Sequence, residues 1–380
     1  MGRQAKRSSP ASTSAAAAEP VATMRDLARL AGCSVMTVSF ALRDSQQVSA
    51  ETRERIQGLA AKHGYRKSPF ISALMAKRRS PRSRQSGSGE VIALLTKFDV
   101  PLKKWKERDP FFSPLFEGMR ERAQELGFRL EEFPVFGEGA PDGRQLTRIL
   151  LARGIRGVIL MPGGGLLRGF PDFDSSRFTI VAAAFHAQQM LVHRTASDYV
   201  AGMELCLAQA QARGYRRIGL AVDQVLDPQV RYAFSGRFLV WQYLQATRWR
   251  VPFAGGRDGI ISRESFLSWY HRYRPECIIS PRYSVLDWLH EAGVRVPDDV
   301  GCMFLPVRET PGICGVDMQT PAVGRASVNL LTRELFLNHI GPSDTPEVVL
   351  VGCRWQEGGT LRESAAERTR TKKDNQNLYD

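Results

Sequence analysis

The sequence predicts an α/β protein whose parallel sheets form two lobes, preceded by a small all-α segment. Three observations carry this. From Glu90 onward short apolar runs alternate with helical stretches, the pattern of strand-helix-strand units and parallel sheets. About 270 residues of that alternation exceed what one sheet needs, so two lobes are expected. Ahead of it, Thr23 to His63 carries three short helical patterns separated by turn residues.

Taken in order, residues 1–20 are Ser, Ala, Thr and Pro with a few bases, too poor in apolar groups to offset ordering entropy, and are expected to be a disordered arm. Thr23 and Asp26 have the capping-box spacing, Leu27, Ala28, Leu30 and Ala31 supply a core face, and Gly32 stops the helix. Ser34 caps a second helix over Val35 to Leu42, and Ser49 a third from Ala50 to His63. Ser68-Pro69 opens a short amphipathic stretch to Arg79, with Pro near the first helical position. Ser80 to Gly89 reads as a linker. Strands are expected at Val91 to Leu95, Val158 to Met161, Phe178 to Ala184, Ile218 to Val222, Cys277 to Ser280, Val300 to Leu305 and Val348 to Val351. Helices are expected at Pro114 to Leu126 and Tyr199 to Arg213, and a polar tail from Arg362. The expected domains are therefore an arm (1–20), a headpiece (21–66), a hinge and linker (67–89), an α/β body (90–361) and a tail (362–380).

Composition sets the function classes. With 43% hydrophobic and 24% charged residues the 380-residue chain reads as globular. No apolar run approaches the roughly 20 residues of a membrane span, and no apolar segment precedes Val21 as a signal peptide requires. The six cysteines stand singly, without paired zinc spacing, and read as buried thiols of a reducing cytoplasm. The net charge of +14 is concentrated at one end: residues 1–90 hold 16 basic against 6 acidic residues. A localised basic excess points to a polyanion, and the nucleic-acid partner belongs to the first quarter of the chain.

Helix one, the turn Ala31-Gly32-Cys33 and helix two have helix-turn-helix spacing. On helix two, Val35, Met36, Ser39 and Phe40 form one face and Thr37, Val38, Ala41 and Leu42 the other. The second is the natural core face, so Val35, Met36 and Phe40 are expected to point outward, suited to thymine methyls, or else to pack on a hinge or partner subunit. Val21 through Ser39, Val48-Ser49-Ala50-Glu51-Thr52-Arg53-Glu54-Arg55 and Gly64-Tyr65-Arg66 closely resemble the headpiece of the lactose and galactose repressor family of bacterial transcription regulators. The resemblance implies that helix two lies in the major groove and that Val35, Met36, Ser39 and Phe40 contact bases. It implies phosphate contacts at Thr23, Ser34, Thr37, Arg43, Ser49 and Thr52. Ile71-Ser72-Ala73-Leu74 is similar to that family's hinge helix, whose Leu, here Leu74, wedges into the minor groove, with Ala73 and Lys77 beside it. The sequence departs from many relatives in carrying Phe40 where they have Arg, and Lys67-Ser68-Pro69 where they have Pro-Asn.

From Glu90 to Leu361 the chain resembles, more weakly, the family's effector domain, a two-lobed fold like that of periplasmic sugar-binding proteins. The marks are Asp109-Pro110-Phe111-Phe112, Gly154 to Leu160, Asp198-Tyr199-Val200-Ala201-Gly202, Gly214 to Leu220 and Val296 to Val300. The resemblance implies an effector between the lobes, met by Asp198 and Arg237, with Phe111, Phe112 and Trp241 as stacking surfaces. Asp198 could instead cap a helix, and Arg237 could instead sit in a surface ion pair. Ser280-Pro281-Arg282 replaces the usual Asn-Asp, and Arg282 suits an anionic ligand. The implied protein is a cytoplasmic homodimeric repressor binding double-stranded operator DNA and a small molecule, with no cofactor, metal or membrane. Gly163-Gly164-Gly165 lacks both the dinucleotide and the P-loop pattern, the six histidines show no ligand spacing, and no catalytic elbow occurs, so an enzyme is the weaker reading.

Overall fold

The computed structural model describes residues 24–42, 48–63, 90–96, 112–137, 139–162, 172–185, 190–254, 259–307 and 310–363. The chain divides into two units, residues 1–81 and 82–380.

In the first unit α1 (Met24–Ala31), α2 (Val35–Ala41) and α3 (Ala50–Lys62) enclose a core of Leu27, Ala28, Ala31, Val38, Ala41, Val48, Ile56 and Ala60. Gly32 makes the turn between α1 and α2 at φ +62°, a backbone conformation that costs a residue with a Cβ. Helix ends leave carbonyls without intrahelical partners. Here α3 supplies donors from its flank: Arg55 Nη2 reaches Ala31 O at 3.2 Å and Gln57 Nε2 reaches Ala41 O at 3.1 Å. Three short helices that are marginal alone are thus tied at their ends as well as through their core.

The second unit has two sheets. In the first lobe β1 (Glu90–Thr96), β2 (Phe128–Pro134), β3 (Gly157–Leu160), β4 (Thr179–Ala183), β5 (His193–Ser197) and β10 (Val348–Val351) pair in parallel, in the order β10-β5-β4-β3-β1-β2. Strand alternation sends Ile92, Leu94, Ile159 and Val181 to one face, where α4 (Phe112–Glu125) and α10 (Thr320–Leu337) cover them. Ala93, Leu95, Val158 and Ile180 face the other way, towards α5 (Gly143–Ala152). The backbones of α4 and α10 approach closely because Gly118 and Gly324 face each other's helix: a Cβ on either would lie 2.1 Å from Pro321 O or 2.2 Å from Leu115 O.

In the second lobe β6 (Ile218–Leu220), β7 (Cys277–Ser280), β8 (Gly301–Phe304), β9 (Gly315–Asp317) and β11 (Arg354–Gln356) follow the order β11-β9-β8-β7-β6, parallel except for β11 against β9. Helices α6 (Tyr199–Ala212) and α7 (Ala233–Tyr243) cover one face, and α8 (Arg263–Tyr273) and α9 (Ser284–Glu291) the other. The chain passes between lobes three times, after β5, after β9 and after β10.

Every expected strand is present. Four other strands, β2, β5, β9 and β11, and the helices α5, α7, α8, α9 and α10 were not anticipated. β5 reads His-Arg-Thr-Ala-Ser, yet four of its five residues are buried. Its polar groups are satisfied inside: Arg194 donates to Met190 O (2.9 Å), Thr195 meets the Ser327 hydroxyl (2.6 Å), and Ser197 donates to Met318 O (2.7 Å). No helix among the described residues is long and apolar enough to cross a membrane.

Candidate nucleic-acid interface and effector cleft

In the headpiece the Ser34 hydroxyl accepts from Thr37 N at 3.1 Å and lies 2.9 Å from the Thr37 hydroxyl. Ser49 repeats this at α3, accepting from Thr52 N at 3.4 Å and donating to the Thr52 hydroxyl at 2.9 Å. Each helix N-terminus therefore carries a pair of hydroxyls beside amides that lack helical acceptors, an arrangement suited to phosphate oxygens. Val38 and Ala41 anchor α2 to the core. On the opposite side Val35 is 42% and Met36 67% exposed.

The expectation that Phe40 stands outward with them needs correcting. Its side chain is half-buried and packs against the headpiece core, as do Cys33, Leu42 and Leu59. Packing there withdraws apolar ring area from water. Ser39 is also half-buried. Thr23, Arg43, Ala73, Leu74 and Lys77 lie outside the described residues.

At the C-terminal edges of the sheets, where ligands of open α/β sheets bind, the expected effector residues separate. Trp241 is not a stacking surface: it is buried in the second lobe's core, 5.6 Å from the Phe238 ring. Arg237 of α7 is held by Glu204 of α6, Nε to Oε1 2.7 Å, in a partly exposed ion pair. Asp198 caps α6, accepting from Ala201 N at 3.0 Å. Phe112 packs half-buried against the first lobe's core, and Phe111 lies outside the described residues. Arg282 does stand at the edge, just past β7, where it forms an ion pair with Asp223, just past β6. The other Asp223 oxygen accepts from Ile261 N at 2.7 Å, which fixes the carboxylate.

Other residues at this edge were missed. Phe185 follows β4 and packs with Tyr199 (6.1 Å) inside the second lobe's core. The Arg231 guanidinium lies 5.6 Å from the Phe185 ring centroid. Ala184, Arg231 and Tyr232 all take positive φ (73°, 59° and 57°), a strained conformation that persists only where the surroundings impose it. A small apolar cavity opens here among Leu115, Pro162, Ala184, Ser197, Tyr199 and Thr320. At the lobe crossings the Cys353 thiol donates to Asp198 O at 3.3 Å. Burial first, then the carboxylates of Asp198 and Asp317, push that thiol up to about 12. The available signal was position, since Phe185 and Asp223 each follow an expected strand directly.

The profile of "Bacterial regulatory proteins, lacI family" matches residues 23–68. The ribose operon repressor of Haemophilus influenzae is 26% identical over 335 residues, covering 84% of this chain and 92% of that protein. The maltose regulon regulatory protein MalI of Escherichia coli K12 is 30% identical over 146 residues, 38% of this chain and 36% of its own length. Among solved structures, a complex of the transcriptional regulator CelR with cellobiose superposes with TM-score 0.54 at 17% identity, covering 89% of this chain and 99% of the other. A lac repressor dimer bound to operator and an anti-inducer gives 0.52 at 17% identity, covering 90% and 99%. At these identities the structures establish a shared fold, a helical headpiece with a two-lobed α/β body.

Proposed function

We propose, from the premise that the chain belongs to the lacI family of bacterial regulatory proteins by its residues 23–68, that it is a transcriptional repressor whose hold on operator DNA is set by a small molecule bound between its lobes. The observation that carries the DNA half is the capped helix α2, with Val35 and Met36 exposed on it and a hydroxyl pair at the N-terminus of each of α2 and α3. In this reading Val35 and Met36 touch base edges, with Ser39 at the margin and Phe40 supporting the helix by packing on the core. Thr23, Ser34, Thr37, Arg43, Ser49 and Thr52 hold phosphates, and Leu74 with Ala73 and Lys77 acts in the minor groove. A homodimer, binding two related half-sites, follows the same premise. The arm (1–20), headpiece (21–66), hinge and linker (67–89), body (90–361) and tail (362–380) serve as its parts.

The relatives named above include a ribose operon repressor and a regulator complexed with cellobiose, which supports a sugar or related metabolite as effector. Such a protein binds and releases rather than catalyses, and works in the cytoplasm. Binding selection from random duplex DNA, repeated at rising salt, tests the DNA half. A selected pseudo-palindrome whose affinity falls steeply with salt is expected, because phosphate neutralisation releases counterions. Absence of any selected sequence overturns it. For the effector, thermal shift of the full chain against sugars and sugar acids is the screen, a bound ligand at 100 times Kd adding about 2.7 kcal/mol.

A further inference from the structure

Arginines gather where β6 and β7 begin, at the end of the second lobe's sheet opposite the cleft. Arg216 and Arg217 precede β6, Arg248 and Arg250 follow α7, and Arg272 and Arg274 lie at and just past the end of α8. Arg217 draws these segments together, one guanidinium donating to Arg248 O (2.7 Å) and to Tyr273 O. The other five are exposed and lie against rings. Arg216 and Arg248 stand 5.4 and 5.0 Å from the Trp249 centroid, and Arg250, Arg272 and Arg274 stand 5.6, 5.5 and 5.7 Å from those of Tyr243, Tyr273 and Tyr270. Elsewhere in the body arginines find acids, as Arg153 does Glu131, Arg263 Glu291 and Arg325 Glu121. Among the described residues none of these six does. Glu276, beside them, accepts the backbone N–H groups of Arg216 and Arg217 at 2.7 and 3.1 Å, and Asp298 and Asp299 are held by Arg295. Like charges gathered without counter-charges repel, and an anionic partner relieves that cost.

The cluster runs on into apolar surface. Phe234, Phe238 and Trp241 of α7 face the second lobe's core, but Leu239, Val240, Tyr243 and Leu244 are 48, 58, 75 and 74% exposed. Arg250 joins the two surfaces, lying against the Tyr243 ring and donating to Tyr243 O at 2.8 Å. A contiguous exposed apolar patch rimmed by charge marks an interaction surface. We propose that this surface docks an acidic segment of another protein, with carboxylates on the arginines and apolar side chains on α7. Each guanidinium held against a ring has already lost much of its freedom, which lowers the cost of a bidentate carboxylate contact. A nucleic acid fits less well. The rings on which bases would stack already carry guanidiniums, and a phosphate backbone offers nothing to cover Leu239, Val240 and Leu244.

The test needs neither operator nor effector. Random peptides displayed on phage are panned on the full chain, with counter-selection on a variant carrying both Leu244→Glu and Arg248→Glu. Enriched peptides are expected to combine Asp or Glu with apolar residues. A labelled enriched peptide, read by fluorescence anisotropy, should bind about tenfold more weakly to Arg248→Glu, to Arg272→Glu and to Leu244→Ser, and more weakly to wild type as salt rises. Arg29→Glu in the headpiece controls for general basic charge and should change nothing. All four positions are exposed, so each variant should keep the wild-type circular dichroism melt. Absence of acidic and apolar enrichment overturns the proposal, as does binding that the arginine and Leu244 variants leave unchanged. Non-operator duplex DNA or phosphatidylglycerol vesicles that bind through Arg248 and Arg272 as tightly as the peptide, with Leu244→Ser without effect, also overturn it. So does sedimentation in which Leu244→Ser alters the chain's own association, since the face then belongs to a second copy.

Discussion

Arg231 of the second lobe places its guanidinium 5.6 Å from the centroid of the Phe185 ring, which the chain delivers from the end of β4 in the first lobe. Both residues follow or occupy strained backbone, at Ala184 and at Arg231 itself. The contact therefore joins the lobes at the cleft edge. A double-mutant cycle of Arg231→Met and Phe185→Leu, read by urea denaturation of the full chain, is expected to return a coupling of about 0.5–1 kcal/mol. Strictly additive effects would show that the two side chains do not support each other.

Ser34 both caps α2 and stands where a phosphate contact is proposed, and two substitutions separate the roles. Ser34→Ala removes cap and hydroxyl and should cost the headpiece about 1 kcal/mol, whereas Ser34→Gly should cost only a few tenths. Both should weaken DNA binding alike if the hydroxyl meets a phosphate. Affinity that tracks stability instead, with Gly near wild type, would assign Ser34 to capping alone.

Met36 and Phe40 divide recognition from packing. Met36→Ala is expected to change the base preference of a binding selection and leave the melting curve unmoved. Phe40→Ala should lower headpiece stability by about 1–3 kcal/mol while leaving the selected motif intact. A changed motif in the Phe40 variant would restore that residue to the reading face.

Gly118→Ala or Gly324→Ala should destabilise the first lobe by about 1–3 kcal/mol or more, since each new methyl meets backbone that cannot swing aside. Denaturant midpoints check this, with exposed Gly58 as a control at which a Cβ meets nothing within 4 Å. Equal midpoints for all three variants would mean that α4 and α10 are not held together as described.

Glu334 on α10 is a buried carboxylate with its partners gathered around it. His339 Nδ1 lies 2.7 Å away, Arg333 Nε 2.7 Å and His193 Nε2 3.8 Å, and Glu347 completes the set by pairing with Arg333 and by donating its backbone N–H to His193 Nδ1. Burial pushes its carboxyl up, but the hydrogen bonds from His339 and Arg333 and the nearby positive charges outweigh it and hold the group below its ordinary 4.5. A carboxyl depressed in the folded state stabilises above its unfolded pKa, and that contribution fades as pH falls through the lower folded value. The stability gap between wild type and Glu334→Gln should therefore narrow as pH falls below 4.5, where the carboxylate is lost. A gap that ignores acid would remove Glu334 from the acid response.

What the sequence determined by itself was local. The caps at Ser34 and Ser49, the stop at Gly32 and the strands of continuous apolar residues depend on neighbours a few positions away, so they could be read directly. So could the headpiece's resemblance to a family, which runs through consecutive residues. Tertiary structure decided what depends on distant partners. β5 is a strand because β4 and β10 flank it and because Ser327 and Met318, more than 100 residues on, satisfy its polar groups. Arg237 and Arg282 carry the same guanidinium, yet one is drawn to Glu204 across a helix pair and the other to Asp223 at the cleft edge. Trp241 went to the core because α7 turned that side to the sheet, while Leu239 and Tyr243 on the same helix stayed in solvent. Helical periodicity shows that a helix has faces, but only the packing of the remaining elements selects the face that loses water.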